Sequence, residues 1–530
     1  MKVKSIQAFQ ASDSARLRDL PSDSLIYFVG IGGISMSGLA ELSRANGYRV
    51  IGSDMQASDH TKHLQKIGIS VIIGQTGDNI DTAMPDLVVY SAAVPKNNPE
   101  RMRAEERGIL AVERGDFLGW LTRDFDRVIN VAGTHGKTTT TAMTALLLLA
   151  SELEPTVHLG ALLEDFNNST VHMGRPGQLL VSEACEFRDS FIHFTSTTAL
   201  VLNIDSDHLD YFGTIDNVIH AFARFADHLP ASGHLIVPWH GRYVGRMLSE
   251  LEDLRLSSGL PMPNLVSFAI DGHAPEAIPA YAGEGARQKE HEIQAEEADD
   301  VLFAWPPEAT IEARNVVWYE GLPGFDLYWH GECLGHIRLG VPGHHNIYNA
   351  LAAMAAALLN GADPANFDRV LTAYRGAEGR FTIKGYFQGA KVVTDYAHHP
   401  TAVSATLGAT VNYPHKRLFV IFQPLTFNRV QLLFDDFVAS LEHCDPLQLI
   451  EIYSDRESDD LGMSSRLLVD AINARGGKAV FSLNYDEVKL RLKDAGPGDL
   501  ILFLGPEDVR SYGDRLVSEP EGCKQEFVRD

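Results

Sequence analysis

Between Arg127 and Ala150 the chain reads RVINVAGTHGKTTTTAMTALLLLA, an apolar run, a glycine-bounded turn and a Thr- and Leu-rich stretch. Gly133 and Gly136 bracket Thr134 and His135, and Lys137, Thr138 and Thr139 follow at once. Such a segment is suited to holding phosphate. The glycines let main-chain N–H groups converge on an anion without a Cβ in the way, and a helix starting at the lysine adds roughly half a positive charge at the same place. The Lys137 ammonium would reach the terminal phosphates of ATP, and the Thr138 hydroxyl would hold Mg²⁺. The full P-loop pattern needs one more glycine where Val131 stands, so only the shorter GxxGK[ST] half is met. Two further residues extend this chemistry. Glu183 ends the apolar run QLLVSE, and His208 follows the apolar run that starts at Thr198, both where ligands of open parallel sheets collect. A carboxylate and a neutral imidazole beside a triphosphate can ligate Mg²⁺, although histidine is an unusual partner for so hard an ion. Taken singly, a strand-end Glu is more often a cap or an ion pair, and a lone His more often structural.

The residues around this turn narrow the reading. AGTHGKTTTTAM resembles the ATP-binding loop of the Mur ligase family, whose members join amino acids to the carboxylate of a UDP-linked sugar in bacterial cell-wall synthesis. SEACEFRDSF and NIDSDHLDYF resemble the family's magnesium-binding segments. HNIYN resembles its HNxxN motif, which implies that Asn346 lies near the adenine. DYAHHP resembles the motif in which an Asp contacts the ribose and a His lies near the phosphates, roles that fall on Asp395 and His398. Arg380, in GAEGRF, stands where the family has an arginine that reaches the ATP phosphates. The resemblance therefore implies Lys137, Arg380 and His398 as catalytic groups. Gly133, Thr134, His135, Gly136, Lys137, Thr138, Thr139, Asn346, Arg380 and Asp395 would surround ATP, and Thr138, Glu183 and His208 the Mg²⁺. Asp395 could equally be a turn carboxylate, and His399 is expected to pack rather than react.

Upstream, LIYFVG, GIGGISMSGLAELSRANGY and RVIGSD read as strand, glycine turn with helix, and strand. Gly30 and Gly32 match the first two glycines of the dinucleotide fingerprint, but Ser35 stands at the third. A nicotinamide-dependent dehydrogenase, a structural turn and another diphosphate ligand all remain open on the motif alone. GIGGISMSGLA resembles the UDP-sugar loop of the alanine-adding branch of the family, and DLVVYSAAVPKNNP its next strand and substrate loop. That likeness implies Gly30, Gly32, Gly33, Asp54 and Ser91 as contacts to the sugar nucleotide. For Asp54 a strand-end carboxylate capping a turn is the alternative.

Several Mur ligases that add later residues carry, downstream of the DHxD segment, a lysine that becomes carbamoylated. Here that region reads NVIHAFARFADHLP and has none, in agreement with the alanine-adding branch. QPLTFNR resembles QPHTYSR of that branch but differs at Leu425, Phe427 and Asn428, and GAEGR and FLGPED also depart from their usual forms. The implied small-molecule substrates are UDP-N-acetylmuramate and L-alanine. The related ligase that attaches a whole tripeptide to the same sugar nucleotide is the nearest alternative.

Positioning these residues requires α/β architecture. At 530 residues and 45% hydrophobic content the chain is long enough for about three domains, each with a core. We expect a Rossmann-like domain over residues 1–126, a central P-loop ATPase-like parallel sheet over 127–376 and a Rossmann-like domain over 377–530. Apolar runs predict strands at Thr198–Ile204, Lys391–Tyr396, Arg417–Gln423, Leu447–Tyr453, Ala479–Leu483 and Leu500–Leu504. Helices are expected over Pro342–Asn360, with Asn346 as a cap, and over Asn428–Cys444. Residues Trp239 to about Trp318, rich in Pro, Gly, Glu and Ala, read as an extended surface insertion. With 70 acidic against 45 basic side chains, the formal charge of −25 argues against nucleic acid or an anionic membrane as partner. The start of the chain lacks the pattern of a signal peptide, and the purest apolar run, Ala145–Ala150, is too short to span a bilayer. Four dispersed cysteines suggest neither a disulfide framework nor a zinc site, so a reducing cytoplasm is expected. Oligomeric state is not set by any of these features.

Overall fold

The strands Leu25–Val29 and Leu87–Tyr90 pair in parallel, although two other strands lie between them in sequence. The first sheet therefore runs Ser70–Ile73, Arg49–Asp54, Leu25–Val29, Leu87–Tyr90, Leu110–Glu113, all parallel. Reversal of strand order at its centre opens a crevice beyond the carboxyl ends of those two strands, where Gly30–Gly33 and Ser91 lie. This is the Rossmann-like arrangement expected. The computed structural model describes residues 20–21, 23–91, 93–272, 303–454, 457 and 460–519. Their contacts form two compact units. The first lies within Met1–Ala269, Ala298–Ile311 and Asn349–Val370, and the second within Ile270–Glu297, Glu312–Tyr348 and Leu371–Asp530.

In the first unit a second sheet runs Asn264–Ile270, His234–Pro238, Thr198–Val201, Arg127–Ala132, Leu179–Glu183, Thr156–Leu163, Ser169–His172. Every strand is parallel except the last, which returns antiparallel to Thr156–Leu163. Arg127–Ala132 is at the centre, fully buried except at its first residue, as its apolar composition requires. The two sheets meet through close helix contacts. Helix Ile34–Ala45 lays Gly38 on Thr170, where a Cβ would overlap the Thr170 hydroxyl. Helix Arg114–Leu121 places Gly115 on Ser190 and Gly119 on the His193 main chain, so any side chain at these positions would push the layers apart.

In the second unit Ile311–Tyr319, Leu322–Trp329 and Glu332–Arg338 run consecutively along one sheet edge. A separate six-stranded sheet has the order Thr382–Phe387, Ala390–Asp395, Leu500–Leu504, Leu418–Phe422, Leu447–Leu449, Ala479–Phe481, parallel except for its first strand. No helix among the described residues is long and apolar enough to cross a membrane.

Four sequence expectations need correction. The span read as an insertion contains the helix Val244–Ser258 and the strands Asn264–Ile270 and Ile311–Tyr319; residues 273–302 lie outside the described residues. Val244, Met247, Leu248 and Leu251 repeat at helical spacing and are all buried, a periodicity masked by the surrounding Pro and Gly. The strand at Thr198 stops at Val201, because Asn203 turns away to bond the glycine turn. That at Leu447 stops at Leu449. The helix expected over Asn428–Cys444 is two, Phe427–Leu432 and Phe434–Leu441, interrupted at Leu433.

Arg255 shows how a charged side chain can become a structural group in such a core. It is 1% exposed, and its Nη2 donates to the carbonyls of Ala226, Asp227 and Leu229 at 3.2, 2.7 and 2.7 Å. The first two of those carbonyls end the helix Ile215–Asp227, where the dipole also favours a cation, and Nε lies 2.9 Å from Asp227 Oδ1. Arg255→Ala should therefore lower stability in urea by about 3–5 kcal/mol, since the carbonyls stay buried and Asp227 loses its partner. A loss below about 1 kcal/mol would show that water reaches these groups instead.

Candidate active site

Gly133 leaves the central strand at φ +134, and a Cβ there would lie 2.9 Å from Leu202 Cβ. Gly136, at φ +87, is the N-cap of helix Lys137–Ala150, and a Cβ there would overlap Asn349 Oδ1. The turn thus needs glycine for close packing and for left-handed backbone, besides any room for an anion. Asn203 staples it. Its carbonyl accepts from Thr134 N at 3.2 Å, its Oδ1 from His135 N at 2.8 Å, and its Nδ2 donates to His135 O at 3.0 Å. Asp205 adds two contacts, its N–H to Thr134 Oγ1 and its carboxylate to His135 Nε2, both at 3.0 Å. Two N–H groups of the turn are therefore engaged by Asn203. The helix Lys137–Ala150 starts directly beside the turn, so the positive end of its dipole lies there.

Lys137 is folded back into this cradle. Its Nζ donates to Gly133 O at 2.6 Å, to Thr134 O at 3.2 Å, and to both oxygens of Glu186 at 3.2 and 2.9 Å. The Glu186 side chain is 3% exposed. Burial alone would push the ammonium toward losing its proton, but the negative groups around it, Glu186 foremost, together hold the lysine pKa above its ordinary value. Sequence reading missed Glu186, Asn203, Asp205 and Asn349. Glu186 lies within SEACEF, but nothing in that string distinguishes which of its two carboxylates meets the lysine.

Glu183 and Thr138 are brought together, with Thr138 Oγ1 3.1 Å from Glu183 Oε2, while Glu183 Oε1 accepts from Gly160 N at 2.5 Å. His208 is placed differently. It stands beyond the strand on the other side of Arg127–Ala132, at φ 54, with its ring 4.8 Å from Phe187. Among the described residues no hydrogen bond or ion pair joins it to Glu183.

In the first sheet's crevice Asp54 Oδ2 accepts from Gly32 N at 2.8 Å and Oδ1 from Gln56 N at 3.2 Å, so its carboxylate ties the glycine loop to the strand end. Gly33 is the N-cap of helix Ile34–Ala45 and Gly30 has φ +78. Ser91 Oγ lies 4.0 Å from the position of a Gly30 Cβ. Ser35, the residue that breaks the dinucleotide fingerprint, accepts from Arg114 Nη1 at 2.9 Å. His158 lies beside it, its Nε2 3.4 Å from Ser35 O and its buried Nδ1 without a partner. Burial, with Arg114 adding to it, depresses the His158 pKa to about 4.

In the second unit Asp395 Oδ2 accepts from Phe381 N at 2.7 Å and Oδ1 from Ala397 N at 2.8 Å, so this carboxylate orders the turns that carry Arg380 and His398. Its burial raises its pKa, and Arg380 opposes this. His398 Nδ1 is 2.6 Å from Tyr396 O, which makes Nδ1 the protonated nitrogen. His399 is buried as expected and caps the helix Pro400–Val411. Asn346 is not a cap: it lies inside the helix His344–Leu359 and its Nδ2 donates to Pro342 O at 2.7 Å.

Three family descriptions match along the chain. Residues 25–126 match the Mur ligase catalytic domain, residues 131–258 the Mur ligase middle domain, and residues 379–506 the glutamate ligase domain of Mur ligases. A UDP-N-acetylmuramate–L-alanine ligase of Clostridium novyi is 37% identical over 493 residues, covering 93% of this chain and 97% of its own. One from Alkaliphilus metalliredigens is 36% identical over 496 residues, with the same coverage. The chain belongs to the Mur ligase family. Its fold is shared with the UDP-N-acetylmuramate–alanine ligase of Thermotoga maritima, at a TM-score of 0.71, 24% identity and coverage of 93% and 98% of the two chains. A murein peptide ligase of Psychrobacter arcticus is more distant, at a TM-score of 0.63 and 21% identity, covering 93% of this chain and 98% of its own. For this Mur ligase, the glycine loop of the first sheet belongs to a ligase domain, and the dehydrogenase alternative has no support.

Two expectations follow from the buried groups. Lys137→Met should abolish ATP-dependent turnover and also cost about 3–5 kcal/mol of stability, because Glu186 is left buried without its partner. Adding Glu186→Gln should restore most of that stability in a denaturant titration but none of the turnover; a single variant as stable as the parent would mean the pair contributes nothing. Between pH 6.5, the ordinary histidine value, and about 4, an unfolded chain protonates His158 while the folded one does not, so folding weakens as pH falls through that window. The thermal midpoint of His158→Val should decline less steeply over that range than that of the parent.

Proposed function

We propose that this protein joins L-alanine to the lactyl carboxylate of UDP-N-acetylmuramate with consumption of ATP, as a step of peptidoglycan precursor synthesis. The reading is carried by the length of the likeness: relatives named for this reaction match 93% of the chain at 36–37% identity. A carboxylate at neutral pH is too electron-rich for an amine to attack, so one of its oxygens must first become a leaving group. In this reading the lactyl carboxylate attacks the γ-phosphorus of ATP, ADP departs, and an acyl phosphate remains. The amine of L-alanine then adds to the acyl carbon, and the tetrahedral adduct collapses to the amide and inorganic phosphate, with loss of the amine proton.

Lys137 and Arg380 are assigned to the charge on the transferring phosphoryl group, each such preorganised cation contributing about 3–4 kcal/mol to the transition state. For Lys137 this means exchanging the Glu186 oxygens, wholly or in part, for phosphate oxygens. His398, protonated on Nδ1, is read as a residue near the phosphates. Asn346 and Asp395 are read as nucleotide contacts, and Gly30, Gly32, Gly33, Asp54 and Ser91 as contacts to the UDP-sugar. Thr138 Oγ1 and Glu183 Oε2 make a pair of hard oxygen donors that fits Mg²⁺, with His208 as a third residue to hold it. Bound there, Mg²⁺ would neutralise charge on the phosphate oxygens. We place the three functional segments at residues 1–126, 127–376 and 377–530, and the enzyme in the cytoplasm, acting on small molecules.

Phosphate release from ATP with UDP-N-acetylmuramate, against each amino acid and the L-Ala–γ-D-Glu–diamino acid tripeptide, tests this reading. L-Alanine should be preferred, glycine and L-serine should be poor substrates because one small group separates them by only about 1–3 kcal/mol, and D-glutamate and lysine should not react. A tripeptide preferred over alanine at equal concentration would transfer the protein to the recycling reaction. Because Asn217–Pro230 contains no lysine to carbamoylate, activity should be undiminished in degassed, bicarbonate-free buffer. Glu183→Ala and His208→Ala should each raise the magnesium concentration for half-maximal rate, and the double variant should lose less than the sum. Unchanged magnesium dependence in both single variants would remove them from the metal site.

A further inference from the structure

FLGPED departs from the family's usual form, and two residues beyond it an arginine is buried. Arg510, in the first turn of helix Glu507–Ser518, is only 8% exposed. It pairs with Glu507 on the surface, and its buried Nε has no hydrogen-bond partner. A guanidinium held this way costs more than an apolar side chain at the same place, so its position calls for another cause.

Three observations tie it to Arg380. The Arg510 Cζ lies 5.3 Å from the Tyr396 ring centroid, and the Arg380 Cζ lies 5.4 Å from that same centroid. Gly379, at φ +71, immediately precedes Arg380, and a Cβ there would come within 2.6 Å of Arg510 Nη1. The Gly379 carbonyl in turn accepts from Arg380 Nη1 at 3.0 Å. On its other side Arg380 is followed by Phe381, whose N–H is held by Asp395. The main chain at Arg380 is therefore confined from both directions, by Arg510 at Gly379 and by Asp395 at Phe381. Two guanidinium groups sharing one ring repel each other, and the carboxylates of Glu507 and Asp395 offset this.

We propose that Arg510 is a positioning residue for Arg380: by packing on Tyr396 and against Gly379 it sets the angle at which the Arg380 guanidinium is presented to an anionic oxygen of the nucleotide. The proposal rests on the reading of Arg380 as a phosphate contact. It assigns Arg510 no contact with substrate. Its planar fork, not its charge, does the positioning, so lysine is a poor replacement.

A double-variant cycle between Arg510→Met and Arg380→Met tests it, read on ligation kinetics and on affinity for a non-hydrolysable ATP analogue. Arg510→Met should lower kcat/KM for ATP about tenfold or more, as expected when a charged group is tilted off a reacting phosphate, and leave KM for the UDP-sugar within about twofold. In the Arg380→Met background the second change should cost less than about twofold, because there is nothing left to position. Arg510→Lys, which keeps the charge but not the planar fork, should restore little. Equal losses in both backgrounds, or full rescue by lysine, overturn the positioning role while leaving Arg380 in place. If Arg380→Met changes neither the analogue affinity nor the rate, the phosphate reading of Arg380 falls and the proposal with it. Should Arg510→Met fail to fold, Arg510→Lys in the two Arg380 backgrounds decides the same question.

Discussion

A lysine ammonium packed at the carboxyl end of a parallel strand must have hydrogen-bond acceptors and a counter-charge around it, and here two main-chain carbonyls and Glu186 supply them. This ion pair conditions the rest of the central site. With the other negative groups nearby it keeps Lys137 charged in surroundings that would otherwise favour the neutral amine, and it holds the ammonium at the glycine turn. Since the paired carboxylate is itself nearly inaccessible, the two residues are interdependent in folding as well as in chemistry. A lysine in such a turn is easily taken for a purely functional residue with no role in the core; its contacts show otherwise.

The turn that carries the lysine is held by what glycine lacks. Leu202 and Asn349 occupy the space that side chains at Gly133 and Gly136 would need, and Asn203 takes up two of the turn's N–H groups. The result is a turn fixed from both sides, with the helix that follows starting at Lys137. The same use of absent side chains recurs between the first two sheets, at Gly38, Gly115 and Gly119. It also recurs in the second unit, where Gly379 leaves room for a buried guanidinium. Rigidity at these points costs little conformational freedom elsewhere, because each contact joins the end of one element to the body of another.

Electrostatically the molecule is divided against its own average. The chain carries a formal charge of −25, yet Lys137 sits in one unit and Arg380 and Arg510 in the other, each beside a carboxylate that offsets it. An anionic substrate would therefore be attracted by local, preorganised cations and not by the surface as a whole. Tyr396 illustrates the same economy: its ring packs against two guanidinium groups, and the ring of His398 lies 4.6 Å away.

Much of this was legible in the chain itself. Local sequence determined the βαβ start, the glycine turn before Lys137, the strand-end placement of Glu183 and Asp395, and the opening of a helix at Pro400. These depend on backbone conformation and short-range apolar pattern, which neighbouring residues dictate. Tertiary structure alone decided which carboxylate meets Lys137, since Glu183 and Glu186 are three residues apart and only the path of the chain after the strand separates them. It also decided that Asn203 and Asn349 close on the glycine turn, that Asn346 lies within its helix, and that Arg510 turns inward beside Arg380. Each of those contacts joins residues far apart in the chain or depends on the direction in which a side chain leaves its element. Residue spacing carries no information on either until the sheets are packed.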